Sequence, residues 1–213
     1  MIPKVTAAIF DFDMTLVDSS WAILDCTNAL AQQFGLKAVT HTEVLAAIGL
    51  PIRSCWEMFW NDYKEEWLTF YRQSFRGREQ EGIKPFPEAV ATLTKLRDAG
   101  LKTAVVSNRT YARHIVEVVK LDSYMDTIVG LEEVTHPKPH PEALLLALKR
   151  LGVKPENAVY AGDTDIDMKT AAAAGLKSIG VATGYFNAPQ LSAAGASYTI
   201  KGLGELPALL GAK

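Results

Sequence analysis

The chain has 213 residues, of which 48% are hydrophobic, and its 22 basic and 24 acidic residues give a formal net charge of -2. This length and composition allow a large buried core in one or two domains. The balanced charge argues against a cationic surface for nucleic acid, so a small-molecule partner is expected. The two cysteines are too few for a disulfide framework.

The beginning of the sequence, MIPKVTAAIFDFD, has one lysine and a short apolar run that is followed at once by aspartates. This pattern is unlike a secretion signal. No apolar stretch reaches the roughly 18 residues that a membrane span needs. We therefore expect a cytoplasmic protein without a membrane partner, either a monomer or a homodimer.

Short apolar runs that end at polar residues predict buried strands at 5–10, 102–106, 159–161 and 178–181, with weaker candidates at 127–130 and 197–200. Segments with helical periodicity lie between or after them, at 87–99, 111–119, 141–151, 165–174 and 204–210. Strands that alternate with helices predict a parallel α/β sheet, which binds ligands beyond the carboxyl ends of its strands.

The segment from about residue 19 to 84 breaks this alternation, because it contains only helix-forming sequence. All four tryptophans fall within it, which suits a small helical unit that needs large side chains to pack. We therefore predict a catalytic α/β core made of residues 1–17 and 85–213, with an inserted helical cap at 18–84.

Polar residues that could react follow several of the predicted strands, or lie on a loop before a helix: Asp11, Asp13, Ser107, Asn108, Lys138, Asp163 and Asp167. Four carboxylates on one rim would repel one another unless a cation lay among them. Ligands that are all oxygen favour Mg²⁺, which keeps positions open for phosphate oxygens. The pattern therefore indicates phosphoryl transfer from a phosphorylated metabolite.

Four segments, DFDMTLVDSS, VVSN, HPKPHPE and AGDTDIDM, resemble in this order the four motifs of the haloacid dehalogenase superfamily of phosphohydrolases. The match spans nearly the whole chain. The helical insertion after the first motif is similar to the cap of the phosphoglycolate phosphatase and β-phosphoglucomutase branch. The resemblance implies that family's fold, with a Rossmann-like parallel sheet core and a mobile cap that selects the substrate.

By this resemblance, Asp11 is the nucleophile and Asp13 is the acid and base that serves the leaving group and then water. The resemblance also implies that Mg²⁺ is held by the Asp11 side chain, the Asp13 backbone carbonyl and Asp163, with Asp167 supporting the metal site or Lys138 from behind. An acid at position 13 argues against dehalogenation. The resemblance assigns the phosphate group to Met14, Thr15, Ser107, Asn108 and Lys138.

Two positions bear on specificity. Met14 stands where this branch usually has glycine, which adds bulk beside the leaving group. Arg53, in the segment IGLPIR, resembles part of the specificity loop of phosphoglycolate phosphatases and would face a substrate anion. We therefore predict hydrolysis of a small, phosphoglycolate-like phosphomonoester through a phospho-aspartate.

Two alternatives stay open. A phosphomutase of the β-phosphoglucomutase type would move phosphate within a sugar phosphate by the same intermediate. A receiver module that accepts phosphate as a signal is more distant, since it has no use for an acid at Asp13 or for a cap.

Overall fold

The computed structural model describes residues 5–212, so residues 1–4 and 213 of the predicted core lie outside the described residues. The strands are β1 (Ala7–Phe10), β2 (Val17–Asp18), β3 (Lys84–Pro85), β4 (Lys102–Val106), β5 (Thr127–Val129), β6 (Ala158–Gly162), β7 (Lys177–Val181) and β8 (Tyr198–Ile200). Six of them form one sheet in the order β5, β4, β1, β6, β7, β8. Every neighbouring pair in this sheet is parallel.

The α-helices are α1 (Ser20–Phe34), α2 (His41–Ala47), α3 (Ile52–Trp60), α4 (Glu65–Ser74), α5 (Arg76–Gly82), α6 (Ala89–Asp98), α7 (Ala112–Val118), α8 (Glu142–Leu151), α9 (Asp165–Ala173), α10 (Ala188–Ala193) and α11 (Leu206–Leu210). Short 3-10 turns lie at Asp122–Tyr124, Leu131–Glu133, Pro155–Asn157 and Leu203–Glu205.

Both faces of the main sheet are covered by helices. Side chains of β1 alternate between the faces, so Ala8 and Phe10 pack with α6, α7 and α11, whereas Ala7 and Ile9 pack with α8 and α9. Burial on both sides explains why these strands are continuous apolar runs in the sequence. The result is a three-layer α/β core, which confirms the predicted fold class.

Helices α1 to α5 follow one another between β2 and β3, and we call them the cap helices. Strands β2 and β3 pair antiparallel, so the two connections between cap helices and core lie side by side. The cap helices have an aromatic cluster of their own, in which Trp56 and Trp67 are almost fully buried. The exact division of the chain at 18–84 stays a prediction.

All six predicted strands and all five predicted core helices correspond to observed elements, with ends that differ by at most two residues. Helix α10 and the short pair β2 and β3 were not predicted. Among the described helices, none is both long and apolar enough to span a bilayer.

Candidate active site

The residues predicted to react lie at one edge of the main sheet. Asp11 follows β1, Ser107 and Asn108 follow β4, and Asp163 follows β6. Strand β1 lies between β4 and β6, where the chain changes direction across the sheet and a crevice forms beyond the strand ends. Asp11 is only 2% exposed and Asp163 only 1%, so both carboxylates are held inside the protein.

Lys138 binds the carboxylates of Asp11 and Asp167 directly. Its Nζ donates to Asp11 Oδ1 and to Asp167 Oδ1, each at 2.7 Å, and contacts Tyr160 Oη at 3.0 Å. Burial works against the charged lysine, but the Asp11 and Asp167 carboxylates outweigh burial and hold the pKa of Lys138 well above its usual value. Lys138 is therefore a fixed positive charge beside Asp11.

Asp11, Asp163 and Asp167 form a group whose carboxylate oxygens lie within 4.8 Å of one another. The oxygens of Asp167 already accept hydrogen bonds from Lys138, Tyr160 and Thr164. Asp11 Oδ2, in contrast, is a buried oxygen without a hydrogen-bond partner among the described residues. A cation between Asp11 and Asp163 would satisfy that oxygen, so this donor set fits Mg²⁺, and Asp167 suits a supporting role.

The electrostatics of the two candidate ligands favour the same conclusion. Burial, together with the Asp167 and Asp13 carboxylates, raises the pKa of Asp11 to about 7 despite the opposing charge of Lys138. Burial, with Asp167 and Asp11 nearby, also raises the pKa of Asp163 well above its usual value. A divalent cation would stabilise both ionised carboxylates and lower both pKa values.

The loop after β7 approaches Asp163 closely. A Cβ atom at Gly184 would overlap with Asp163 Oδ2, so any larger residue would displace that carboxylate. Asp163 Oδ1 accepts a hydrogen bond from Thr15 Oγ1 at 3.1 Å. Gly184 and Thr15 therefore fix the position of Asp163 from two sides.

The predicted phosphate-binding residues are brought together, but some of their donors are already in use. The Met14 N–H donates to Val17 O at 2.8 Å, because the chain turns tightly after Asp13. The Met14 N–H is therefore occupied within this turn, and the assignment of Met14 to the phosphate stays a prediction. The Asn108 amide donates to Lys138 O and Gly49 O, and Asn108 Oδ1 accepts from Lys138 N. Asn108 thus fastens the Lys138 loop, and it reaches the cap segment.

Ser107 lies beside Asn108 and is almost fully buried, and its Oγ accepts the Arg109 N–H at 3.1 Å. The Ser107 hydroxyl hydrogen is not used in that bond, so it stays available to a phosphate oxygen. The Thr15 hydroxyl hydrogen is used by Asp163. Of these two hydroxyls, Ser107 is the better phosphate donor.

Arg109 belongs to the site, although it was not predicted from the sequence. Its Nε donates to both oxygens of Asp13, at 2.7 and 3.0 Å, and its Nη1 donates to Glu79 Oε1 at 2.5 Å. Arg109 directly follows the Ser107-Asn108 pair, and this position in the sequence could have pointed to its role in the site. Tyr160 was also missed, because it lies within an apolar strand and resembles an ordinary core residue.

Arg53 does not contact this group. It lies on α3, where it forms an ion pair with Glu57 at 2.8 Å and stacks over Tyr63, and its side chain is 68% exposed. Arg53 does line a cavity of about 300 Å³ between the cap helices and the Asp13 side of the core. Most of that cavity is lined by apolar residues of the cap, and Arg109 lines the same cavity.

A second group of possible ligands, His136, His140 and Glu142, lies at the surface near Lys138. The Glu142 carboxylate accepts the backbone N–H groups of Thr135 and His136, and the Glu142 N–H donates to His140 Nδ1. These hydrogen bonds order the start of α8, which explains why the three side chains lie together.

Known proteins resemble this chain in sequence and in fold. Residues 8–181 match the family model described as haloacid dehalogenase-like hydrolase. A phosphoglycolate phosphatase of Aquifex aeolicus is 33% identical over 180 residues, covering 83% of this chain and 84% of the relative. Pyrophosphatase PpaX of Bacillus velezensis is 29% identical over 212 residues, covering 99% and 98%. A crystal structure of a haloacid dehalogenase-like hydrolase from Bacteroides fragilis superposes with a TM-score of 0.86 at 32% identity, covering 95% and 100%.

Proposed function

Because this chain belongs to the haloacid dehalogenase-like hydrolase family, and is a phosphatase of the phosphoric monoester hydrolase class like its named relatives, we propose that it works through a Mg²⁺-dependent phospho-aspartate on Asp11. The observation that carries this proposal is the state of the Asp11 carboxylate. One oxygen is held by Lys138, whereas the other is buried beside Asp163 and has no hydrogen-bond partner within residues 5–212. Lys138 therefore orients this carboxylate, and its second oxygen is available to a cation shared with Asp163.

In the first step, an Asp11 oxygen bonds to phosphorus, the bond to the leaving oxygen breaks, and Asp13 gives a proton to that oxygen. In the second step, Asp13 takes a proton from water as the water attacks phosphorus. The bond from phosphorus to Asp11 then breaks and phosphate leaves. The Ser107 hydroxyl donates to a phosphate oxygen and Lys138 supplies positive charge beside the phosphate during both steps.

Asp11, Asp163 and the backbone carbonyl of Asp13 would hold Mg²⁺, with Asp167 supporting them through Lys138. The ion supplies positive charge that neutralises the phosphate and lets it approach a carboxylate nucleophile.

For the substrate, we propose a small phosphomonoester with an anionic tail, such as phosphoglycolate. The name of the Aquifex aeolicus relative supports this choice. Pyrophosphate is the competing substrate, given the name of the Bacillus velezensis relative. Arg53 lines the cavity beside the site, so the tail would lie on the cap side of Asp13.

The test is phosphate release from phosphoglycolate, ethyl phosphate, pyrophosphate and sugar phosphates, with Mg²⁺ and with EDTA. Release that needs Mg²⁺ and is fastest for phosphoglycolate is expected. Arg53→Ala should lower kcat/KM for phosphoglycolate and leave that for ethyl phosphate unchanged. Arg78→Ala, which breaks a similar exposed ion pair with Asp25, is the control. Equal effects on both esters would show that Arg53 does not bind the anionic tail of the substrate.

A phosphomutase remains the second candidate, because it needs the same Asp11, Asp13 and Lys138. A mutase differs in the acceptor of the phosphoryl group, which is a sugar phosphate instead of water. A mutase would need a bisphosphate activator and would release little inorganic phosphate from sugar phosphates. Rapid release without an activator would exclude the mutase as the main activity.

A further inference from the structure

A chain of hydrogen bonds runs from the cap helices to Asp13. Tyr71 of α4 donates its hydroxyl to Glu79 Oε2 at 2.5 Å, and Glu79 of α5 accepts Arg109 Nη1 with its other oxygen. Arg109 then donates Nε to both oxygens of Asp13. Two of these residues belong to the cap helices and two to loops after core strands, so the hydrogen bonds connect the cap helices to the core.

The four side chains of this hydrogen-bonded series are largely removed from solvent. The side chains are 18% exposed at Arg109, 11% at Glu79 and 10% at Asp13. Burial disfavours the charged arginine, but the Asp13 and Glu79 carboxylates outweigh burial and hold the pKa of Arg109 well above its usual value. A buried ion pair of this kind is costly to break, because removing one partner leaves another charge unpaired.

The geometry also limits how Asp13 can rotate. A lone aspartate can turn its carboxylate about two side-chain bonds, whereas one whose two oxygens both accept from the Nε–H of a fixed guanidinium is held facing that group. Arg109 is in turn fixed at its far end by Glu79. The orientation of Asp13 therefore depends on α5 lying against the core.

We propose that Arg109 is a positioning residue for Asp13 and that Glu79 and Tyr71 make this positioning depend on the seating of the cap helices. The inference rests on the proposed function, since it takes Asp13 as the acid and base. Arg109 acts on the reaction only through Asp13. When the cap helices move away, Glu79 leaves Arg109 and the orientation of Asp13 is lost.

The test uses two phosphate esters that need the acid to different extents. Ethyl phosphate has a basic leaving oxygen that requires a proton, whereas 4-nitrophenolate leaves without one. Arg109→Gln should lower kcat for ethyl phosphate by roughly 10- to 100-fold. It should change the first-turnover release of 4-nitrophenolate and the KM of both esters by less than about threefold. Arg109→Lys should recover part of the loss.

A double-mutant comparison separates positioning from a structural role. If Arg109 acts through Asp13, Asp13→Asn with Arg109→Gln should be no slower than Asp13→Asn alone. Losses that multiply, or an equal loss for both esters, would overturn the inference and leave the proposed function intact. Absence of Mg²⁺-dependent phosphate release from every ester by the natural enzyme would overturn both.

The link between Arg109 and the cap helices is tested by its own matched pair of variants. These variants also test the inference if Arg109→Gln does not fold. Glu79→Gln should show the same dependence on the leaving group, with a smaller loss. Arg78→Gln changes the preceding residue of α5 and breaks only the exposed pair with Asp25, so it should behave like the natural enzyme. If Glu79→Gln also behaves like the natural enzyme, the link to the cap helices is wrong.

Discussion

At the residue scale, the two oxygens of Asp11 have different surroundings. Oδ1 is bound by Lys138, and Oδ2 has no hydrogen-bond partner in the part of the chain that the structure describes. Asp11→Asn keeps the shape of the side chain but removes the attacking carboxylate, so turnover should fall by about 10⁴-fold or more. Asp165→Asn, which only breaks an exposed pair with Lys169, is the control. Circular dichroism should show both variants folded, and activity near that of the natural enzyme in Asp11→Asn would overturn the mechanism.

The close approach of Gly184 to Asp163 gives a second prediction. A methyl group there would displace the carboxylate, so Gly184→Ala should weaken Mg²⁺ activation by about 10- to 100-fold, as is typical when the support of a metal ligand is lost. Gly202→Ala is a suitable control, since an added Cβ at Gly202 meets no atom of the described residues within 4 Å. The measurement is the Mg²⁺ concentration for half-maximal rate. An unchanged value in Gly184→Ala would show that Asp163 is not a ligand.

The sequence identified residues whose type and position both pointed to chemistry, such as Asp11 at a strand end. Tyr160 and Arg109 failed one of these criteria. Tyr160 has a hydroxyl inside a strand that is otherwise apolar, so nothing in the sequence shows that it meets Lys138. Arg109 is one of many arginines, and its pairing with Asp13 depends on how two distant loops meet.

At the element scale, the cap helices contact the core through Met14. Its backbone is left-handed, with φ of 55°, and its side chain packs with Val39, Val44 and Ile48. Met14→Ala should lower the free energy of unfolding by about 2–5 kcal/mol because that packing is lost. Met14→Gly should cost about 1 kcal/mol less, since glycine relieves the left-handed strain. Denaturant unfolding of both variants gives the comparison, and a glycine variant less stable than the alanine variant would contradict it.

Elements with strong periodic patterns were predicted well, because burial on both faces of a parallel sheet leaves continuous apolar runs. Helix α10 was missed although Asn187 and Gln190 form a capping box that marks its start. Its six residues are too few for a clear periodicity. Strands β2 and β3 have two residues each, so only their pairing across the ends of the cap segment defines them.

At the scale of the whole molecule, stability is linked to pH through Asp11. Its pKa is about 7 in the folded protein without metal and 3.8 ordinarily, so the folded protein binds more protons between these values. The stability of the metal-free protein should therefore fall as pH rises from about 4 to about 7. Mg²⁺ needs the ionised carboxylates, so its stabilising effect should grow over the same range.

Thermal unfolding at pH 5.5 and pH 8, with and without Mg²⁺, measures this linkage. The rise in Tm caused by Mg²⁺ should be several degrees at pH 8 and smaller at pH 5.5. Asp163→Asn should reduce the rise at pH 8. A rise of the same size at both pH values would show that Asp11 and Asp163 are not the groups that bind the ion.

The position of β1 in the sheet has a consequence for synthesis of the chain. This apolar strand lies near the beginning of the sequence, but its neighbours β4 and β6 come much later. At about 5–20 residues per second, a ribosome needs on the order of ten seconds to make β6 after β1. During that time β1 has an unpaired edge that favours aggregation, and chaperones that bind nascent chains should therefore raise the yield of folded protein.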